Sequence, residues 1–95
     1  MTCEDRCAFL IKKAEEVTGR KLGNTRSRAD SFIRKMVAYK LSCEGFGTSA
    51  IGKAIGQNHA TVHYSIGKMK DMLSLQEVYK EEARLLVGFE AALEE

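Results

Sequence analysis

The sequence has no tryptophan, no proline and no long uninterrupted apolar segment. A membrane-spanning helix needs about 20 mostly apolar residues, and no run in this chain approaches that length. The opening segment MTCEDRCAFL carries acidic residues where a secretory signal would carry basic ones. We therefore expect a soluble, cytoplasmic protein that does not associate with a membrane.

Cysteine is scarce, with only Cys3, Cys7 and Cys43. An odd number at spacings that match no metal ribbon predicts free, buried thiols. Cys3 and Cys7 would share one helix face, as would His59 and His63, but neither pair has an obvious further ligand nearby. We predict neither a metal nor a cofactor.

The features of common enzyme classes are missing as well. The sequence has no G-x-x-x-x-G-K-[ST] phosphate-binding loop and no glycine-framed cysteine. Its 95 residues leave little room for a deep substrate cleft. A chain of this length forms a single core, so residues 1–95 are expected to be one non-enzymatic domain.

Charge is unevenly distributed along the chain. Residues 1–18 carry three basic and four acidic side chains, residues 19–70 ten and two, and residues 71–95 two and seven. The corresponding net charges are −1, +8 and −5. A positive potential concentrated in the middle of a chain is typical of a protein that binds a polyanion.

The spacing of apolar residues is helical almost throughout and predicts an all-α, compact bundle of about five helices. The first helix is expected at about residues 3–18, where Thr2 and Asp5 resemble a capping box. A basic loop, residues 19–28, should separate it from a second helix at about 29–43.

Three further helices are predicted in the rest of the chain. Thr48 is expected to cap the third helix and Asn58 the fourth, with Gly56 between them in the left-handed conformation. The outward positions of the fourth helix are expected to be mostly polar: Asn58, His59, Thr61, Ser65 and Lys68. The segment SLQE, residues 74–77, has the pattern of a capping box for an acidic helix over 75–94.

The unit spanning residues 48–72 has the pattern of a helix-turn-helix, in which two helices flank a short glycine-containing turn. In that motif the second helix lies in the DNA major groove and presents its N-terminal residues to base edges. The amides of Gln57 and Asn58 are suited to pair with adenine. The same residues would also suit a plain turn and cap between two core helices.

Other side chains of this unit suit DNA contact in different ways. His59 can donate to a base acceptor or a phosphate, and the methyl groups of Ala60 and Thr61 can touch a thymine methyl. Arg28 is expected in the minor groove. Phosphate contacts are expected from further basic residues: Arg26, Arg34, Lys35, Lys53 and Lys68.

These segments resemble the C-terminal DNA-binding domain, domain IV, of the bacterial replication initiator DnaA. The similarity lies in RKMVAYKL (34–41), GTSAIGKAIG (47–56) and QNHATVHYSIGKM (57–69), with TRSR (25–28) similar to the family's basic loop, and covers about residues 10–73. The resemblance implies a helix-turn-helix fold, also Trp-repressor-like. It further implies a nucleoid-associated protein that binds double-stranded DNA in replication control or transcription regulation.

The resemblance assigns roles to individual residues. Arg28 matches the arginine that enters the minor groove, and Arg34 matches the one that opens the long helix facing the DNA backbone. Thr48 and Ser49 match a pair that approaches bases and phosphate at the start of the first helix of the motif.

In the recognition helix, His59 and Thr61 match the family's histidine and second threonine, which contact DNA. The Arg-Asp pair that precedes this histidine in the family is replaced by Gln57 and Asn58. Losing a bidentate guanine contact removes about 1–3 kcal/mol of discrimination, so the standard initiator box is not expected to be preferred. With no room for a nucleotide-hydrolysing domain, the chain looks like a stand-alone module.

The last predicted helix supports an alternative. It carries most of its acids on the outer side and an inward apolar stripe: Val78, Leu85, Leu86, Phe89 and Leu93. Val87 and Ala91 lie beside that stripe and would allow contact with a second copy or a partner protein. The chain would then be an interaction module that keeps the scaffold but has lost sequence-specific DNA recognition.

Overall fold

The computed structural model describes residues 2–19 and 28–94. Within these ranges the chain forms five helices and no strand: α1 Cys3–Thr18, α2 Arg28–Cys43, α3 Thr48–Ile55, α4 His59–Ser74 and α5 Lys80–Leu93. The prediction of an all-α bundle is confirmed.

The helices enclose one hydrophobic core. Helix α2 packs against α1, α3 and α4, while α5 packs mainly against α1. The predicted apolar stripes supply most of the side chains with no exposed surface: Leu10, Ala14, Ile33, Met36, Val37, Ala38, Leu41, Ile51, Val62 and Phe89. Each large apolar side chain buried in this way contributes roughly 1.5–3 kcal/mol to folding.

The start of α3 differs from the expectation. Gly47, not Thr48, occupies the N-cap position, and no side chain caps the helix. The Gly47 carbonyl already accepts a hydrogen bond from the Ile51 amide at 3.0 Å, which draws Thr48 into the first turn. At the start of α1 the predicted cap is present, because the Asp5 amide donates to the Thr2 hydroxyl at 3.2 Å.

The predicted capping box at Ser74 is wrong. The Leu75 amide donates to the Asp71 carbonyl at 2.9 Å, so Ser74 still belongs to α4. Backbone hydrogen bonds of α4 therefore take precedence over a side-chain cap, and α5 begins only at Lys80. Val78, expected inward, lies in the intervening turn with 73% of its surface exposed.

Two further side chains lie on the opposite side from the prediction. Ser65 is buried rather than outward, because it follows Val62 by three residues and precedes Met69 by four, on the packing face. Cys43 is exposed at the end of α2, whereas Cys3 and Cys7 are buried, and all three thiols are free. Burial raises the pKa of Cys7 to about 11, so that thiol stays protonated at neutral pH.

A bidentate ion pair ties α1 to the end of α2. Both the Nε and an Nη atom of Arg6 donate to the Glu44 carboxylate at 2.7 Å, across 38 residues of chain. About a quarter of each side chain is exposed. The hydrogen bonds from Arg6 lower the pKa of Glu44 below its usual value of 4.5.

This pair predicts a pH-dependent contribution to stability. A lowered carboxylate pKa stabilises the folded state above about pH 4.5 and ceases to do so as the pH falls through the folded-state value. We expect Glu44→Gln to lower the free energy of unfolding by about 1 kcal/mol at pH 7, and the difference to be smaller at pH 3. Urea unfolding at the two pH values measures it.

The matched control is Glu16→Gln. The Glu16 carboxylate also pairs with a basic side chain, but its distance to the Lys13 Nζ atom is 3.7 Å and the Glu16 side chain is 54% exposed. This substitution should change stability by less than about 0.5 kcal/mol at either pH. Equal effects of the two substitutions would contradict a specific role for the Arg6–Glu44 pair.

Candidate nucleic-acid interface

The corner between α3 and α4 depends on Gly52. The amides of Gly56 and Gln57 both donate to the Gly52 carbonyl, the latter at 2.8 Å, and Gly56 is left-handed with φ 75°. A Cβ on residue 52 would lie well inside 3.0 Å of the Gln57 carbonyl oxygen. Only glycine allows this approach, and sequence reasoning missed it because Gly52 lies within a helix.

Neither of the two side-chain amides predicted to pair with adenine has its oxygen atom free in solvent. The Asn58 side-chain oxygen accepts from the Thr61 amide at 2.8 Å and so caps α4, as predicted. The Gln57 Oε1 atom is buried and has no hydrogen-bond partner among the described residues. A bidentate adenine contact would need those same oxygen atoms, so the exposed side chains that follow are better placed to meet a base.

The N-terminal half of α4 presents a continuous outer face. His59, Ala60 and Thr61 are exposed, as predicted. His63 and Tyr64 extend this face, and 65% of Tyr64 is exposed. Their spacing of four residues from His59 and Ala60 was the sequence signal that could have identified them.

The outer side of α3 adjoins this face across the Gly56–Asn58 turn. Ser49 and Lys53 are exposed and lie four residues apart, so they share one side of the helix, and Thr48 is half-buried. The α3 residues predicted to approach DNA thus include a hydroxyl and an ammonium group that both reach solvent.

Two lysines on the facing helices α2 and α4 repel each other. Lys35 donates to the Ser31 hydroxyl at 2.8 Å, and Lys68 donates to the Tyr79 hydroxyl at 3.3 Å with its ammonium 5.4 Å from that ring's centre. Burial, followed by the nearby charge of Lys68, lowers the pKa of Lys35. An anion close to both lysines would relieve this repulsion.

The helix N-termini also differ in charge. The first turns of α1, α2 and α5 contain acidic residues, whereas those of α3 and α4 contain none. The partial positive charge at those two N-termini is therefore not offset by a carboxylate in the first turn, which favours binding of phosphate.

The remaining predicted contact residues lie on or before α2. Arg34 is half-buried in α2, and Arg28 is the first residue of that helix, although only its backbone is described. Arg26 lies outside the described residues, as does most of the predicted basic loop.

Within residues 2–19 and 28–94, no three His, Cys, Asp or Glu side chains come together as metal ligands. None of the helices in this part of the chain has the length and apolarity to cross a membrane.

Comparisons of the chain with protein-family models, with curated proteins and with solved structures found no match.

The Gly52 contact predicts opposite effects of the same substitution at two glycines. Gly52→Ala should lower the free energy of unfolding by about 1–3 kcal/mol or more, because its Cβ would press on backbone. Gly67→Ala, in the exposed middle of α4 with open space around it, should raise that energy by about 0.5–1 kcal/mol. Urea unfolding compares them, and two changes of the same sign would contradict this account of the corner.

The cap predicts a separate outcome at Asn58. Asn58→Ala should cost about 1 kcal/mol of stability, while Asn58→Ser, which retains a capping oxygen, should cost only a few tenths. Thermal unfolding measures both variants. An equal loss in each would mean that the Asn58 oxygen does not stabilise α4.

Proposed function

We propose that this chain is a non-enzymatic module that binds double-stranded DNA and acts in replication control or transcription regulation. The α4 N-terminus enters the major groove, and α3 and the lysines contact phosphates. The observation that carries the proposal is the absence of acidic residues from the first turns of α3 and α4, together with the exposed polar face of α4.

The charge of this part of the molecule supports a polyanionic ligand. Residues 31–70 contain six basic side chains and a single acidic one, Glu44. That carboxylate is already paired with Arg6. The net charge of this segment is therefore positive, which favours a polyanionic ligand such as a duplex.

The shape of α4 supports a close approach of its backbone. Ala60, Tyr64 and Gly67 lie along the centre of the outer face, and a Cβ at Gly67 would meet nothing within 4 Å. Glycine in a helix interior costs stability, roughly 1 kcal/mol relative to alanine. A close contact between the helix and a groove would explain its presence here.

The similarity to domain IV of the initiator family is part of the proposal. It adds the expectation that Arg28 reaches the minor groove and that Ser49, His59 and Thr61 contact the duplex. The neutral Gln57 and Asn58, in place of Arg and Asp, favour a target other than the family's usual box.

A second candidate function is protein interaction. Among the described residues Leu75, Val78 and Val87 are large apolar side chains with more than half of their surface exposed, and all three lie in α5 or the turn before it. Such a surface favours a protein partner. DNA binding at low salt separates the two candidates.

The test is fluorescence anisotropy of a labelled duplex, either a randomised pool or an initiator-type box, at two salt concentrations. If about five phosphates are neutralised, the logarithm of the association constant should fall with log salt at a slope of about −4.5. His59→Ala should weaken binding about 5-fold or more, and Lys53→Gln should reduce the slope by about one.

The matched control is Lys12→Gln, which removes the same charge from an exposed position on α1. It should change affinity much less than Lys53→Gln. Absence of binding at low salt would refute the DNA-binding proposal, and equal effects of the two lysine variants would refute the assigned surface.

A further inference from the structure

The outer side of α5 carries a stripe of exposed residues. The stripe consists of positions spaced alternately by four and three residues: Lys80, Arg84, Val87, Ala91 and Glu94. This spacing places them on one helix face, on the side away from the buried Leu86 and Phe89. Glu90, also exposed, flanks the stripe.

The order of charges along this stripe is self-complementary. Basic residues, Lys80 and Arg84, precede Val87, and acidic residues, Glu90 and Glu94, follow it. The positions are also symmetric about residue 87, since residues 80 and 94 are each seven positions from it and residues 84 and 90 each three. A two-fold axis at Val87 would therefore place the basic end of each helix against the acidic end of the other, with each basic residue level with an acidic one.

We infer that α5 is the docking surface for a second copy of this chain, paired antiparallel with the two Val87 side chains at the axis. Lys80 of each copy then lies opposite Glu94 of the other near the line of contact, and Arg84 lies level with Glu90 of the other, on the opposite flank of the pair. A parallel arrangement would instead set like charges against each other. The interface is isologous, as expected for a closed dimer.

The side chains at the centre suit close contact of two helices. Val87 is 65% exposed, and Ala83 and Ala91 are small enough for the helix axes to approach to about 8–10 Å. An open groove lined by Gln76, Lys80, Ala83, Arg84 and Val87 lies beside the stripe. One helix pair gives an interface at the lower end of the specific range, so the dimer is weak, with Kd of the order of micromolar.

The dimer does not depend on DNA binding, because α5 contributes none of the residues assigned to the DNA surface. A failure of either proposal therefore leaves the other standing. The anisotropy assay and a measurement of self-association in the absence of DNA report on them separately.

The test is sedimentation equilibrium of the full chain over a range of concentrations. Glu90→Lys with Glu94→Lys makes the stripe uniformly basic, and Lys80→Glu with Arg84→Glu makes it uniformly acidic. Each double variant alone should have its dimer Kd raised about 10-fold or more by repulsion between like charges. An equimolar mixture of the two should associate at least as tightly as the unchanged chain.

Glu81→Lys is the control, since Glu81 is exposed on α5 but lies outside the stripe; its dimer Kd should change less than 3-fold. All the substituted side chains are exposed, and circular dichroism checks that each variant is folded. Restored association in the mixture supports the proposed pairing. Any one of three results would overturn the proposal. They are an unchanged chain that stays monomeric at several hundred micromolar, charge variants that associate as tightly as the unchanged chain, and a mixture that stays monomeric.

Discussion

The close approach of the Gln57 carbonyl to the backbone of Gly52 is the constraint on which the candidate interface depends. It lets the Gly52 carbonyl accept two amides, which ends α3 and turns the chain sharply at Gly56. The turn delivers Asn58 to the position where its side chain caps α4. Without that corner, the exposed face of α4 would no longer adjoin the outer side of α3.

Electrostatics then distinguishes this corner from the rest of the bundle. Where the other helices carry acids in their first turns, α3 and α4 have none. Burial, followed by the nearby charge of Lys68, lowers the pKa of Lys35. A sequence selected for stability alone would more naturally place carboxylates at these positions, as it does at α1 and α5. Their absence is the electrostatic basis of the proposed polyanion binding.

How much of the fold and of the candidate site could be predicted from the sequence depends on how far apart along the chain the interacting residues lie. The apolar stripes and the Asn58 cap involve residues a few positions apart, and both were predicted. The Arg6–Glu44 pair spans 38 residues, so no local pattern indicates it. The prediction of a capping box at Ser74 was wrong because the backbone hydrogen bonds of α4 continue through this residue. Adding a residue to an existing helix is more favourable than starting a new one. At the site, His59 and Thr61 were placed correctly on the exposed face, but the buried Gln57 oxygen depends on packing around the corner.

Gln57 and Asn58 connect the proposed DNA-binding surface with the proposed dimer surface. The Asn58 oxygen is engaged in the cap and the Gln57 oxygen is buried. Under the proposed function, one copy would therefore take most of its affinity from phosphates. A single recognition helix of this kind discriminates poorly among sequences. Two copies joined through α5 would contact two half-sites at a fixed separation, and discrimination would then come from spacing as well as from base contacts. A weak dimer is sufficient, because two half-sites on one duplex raise the effective concentration of the second copy.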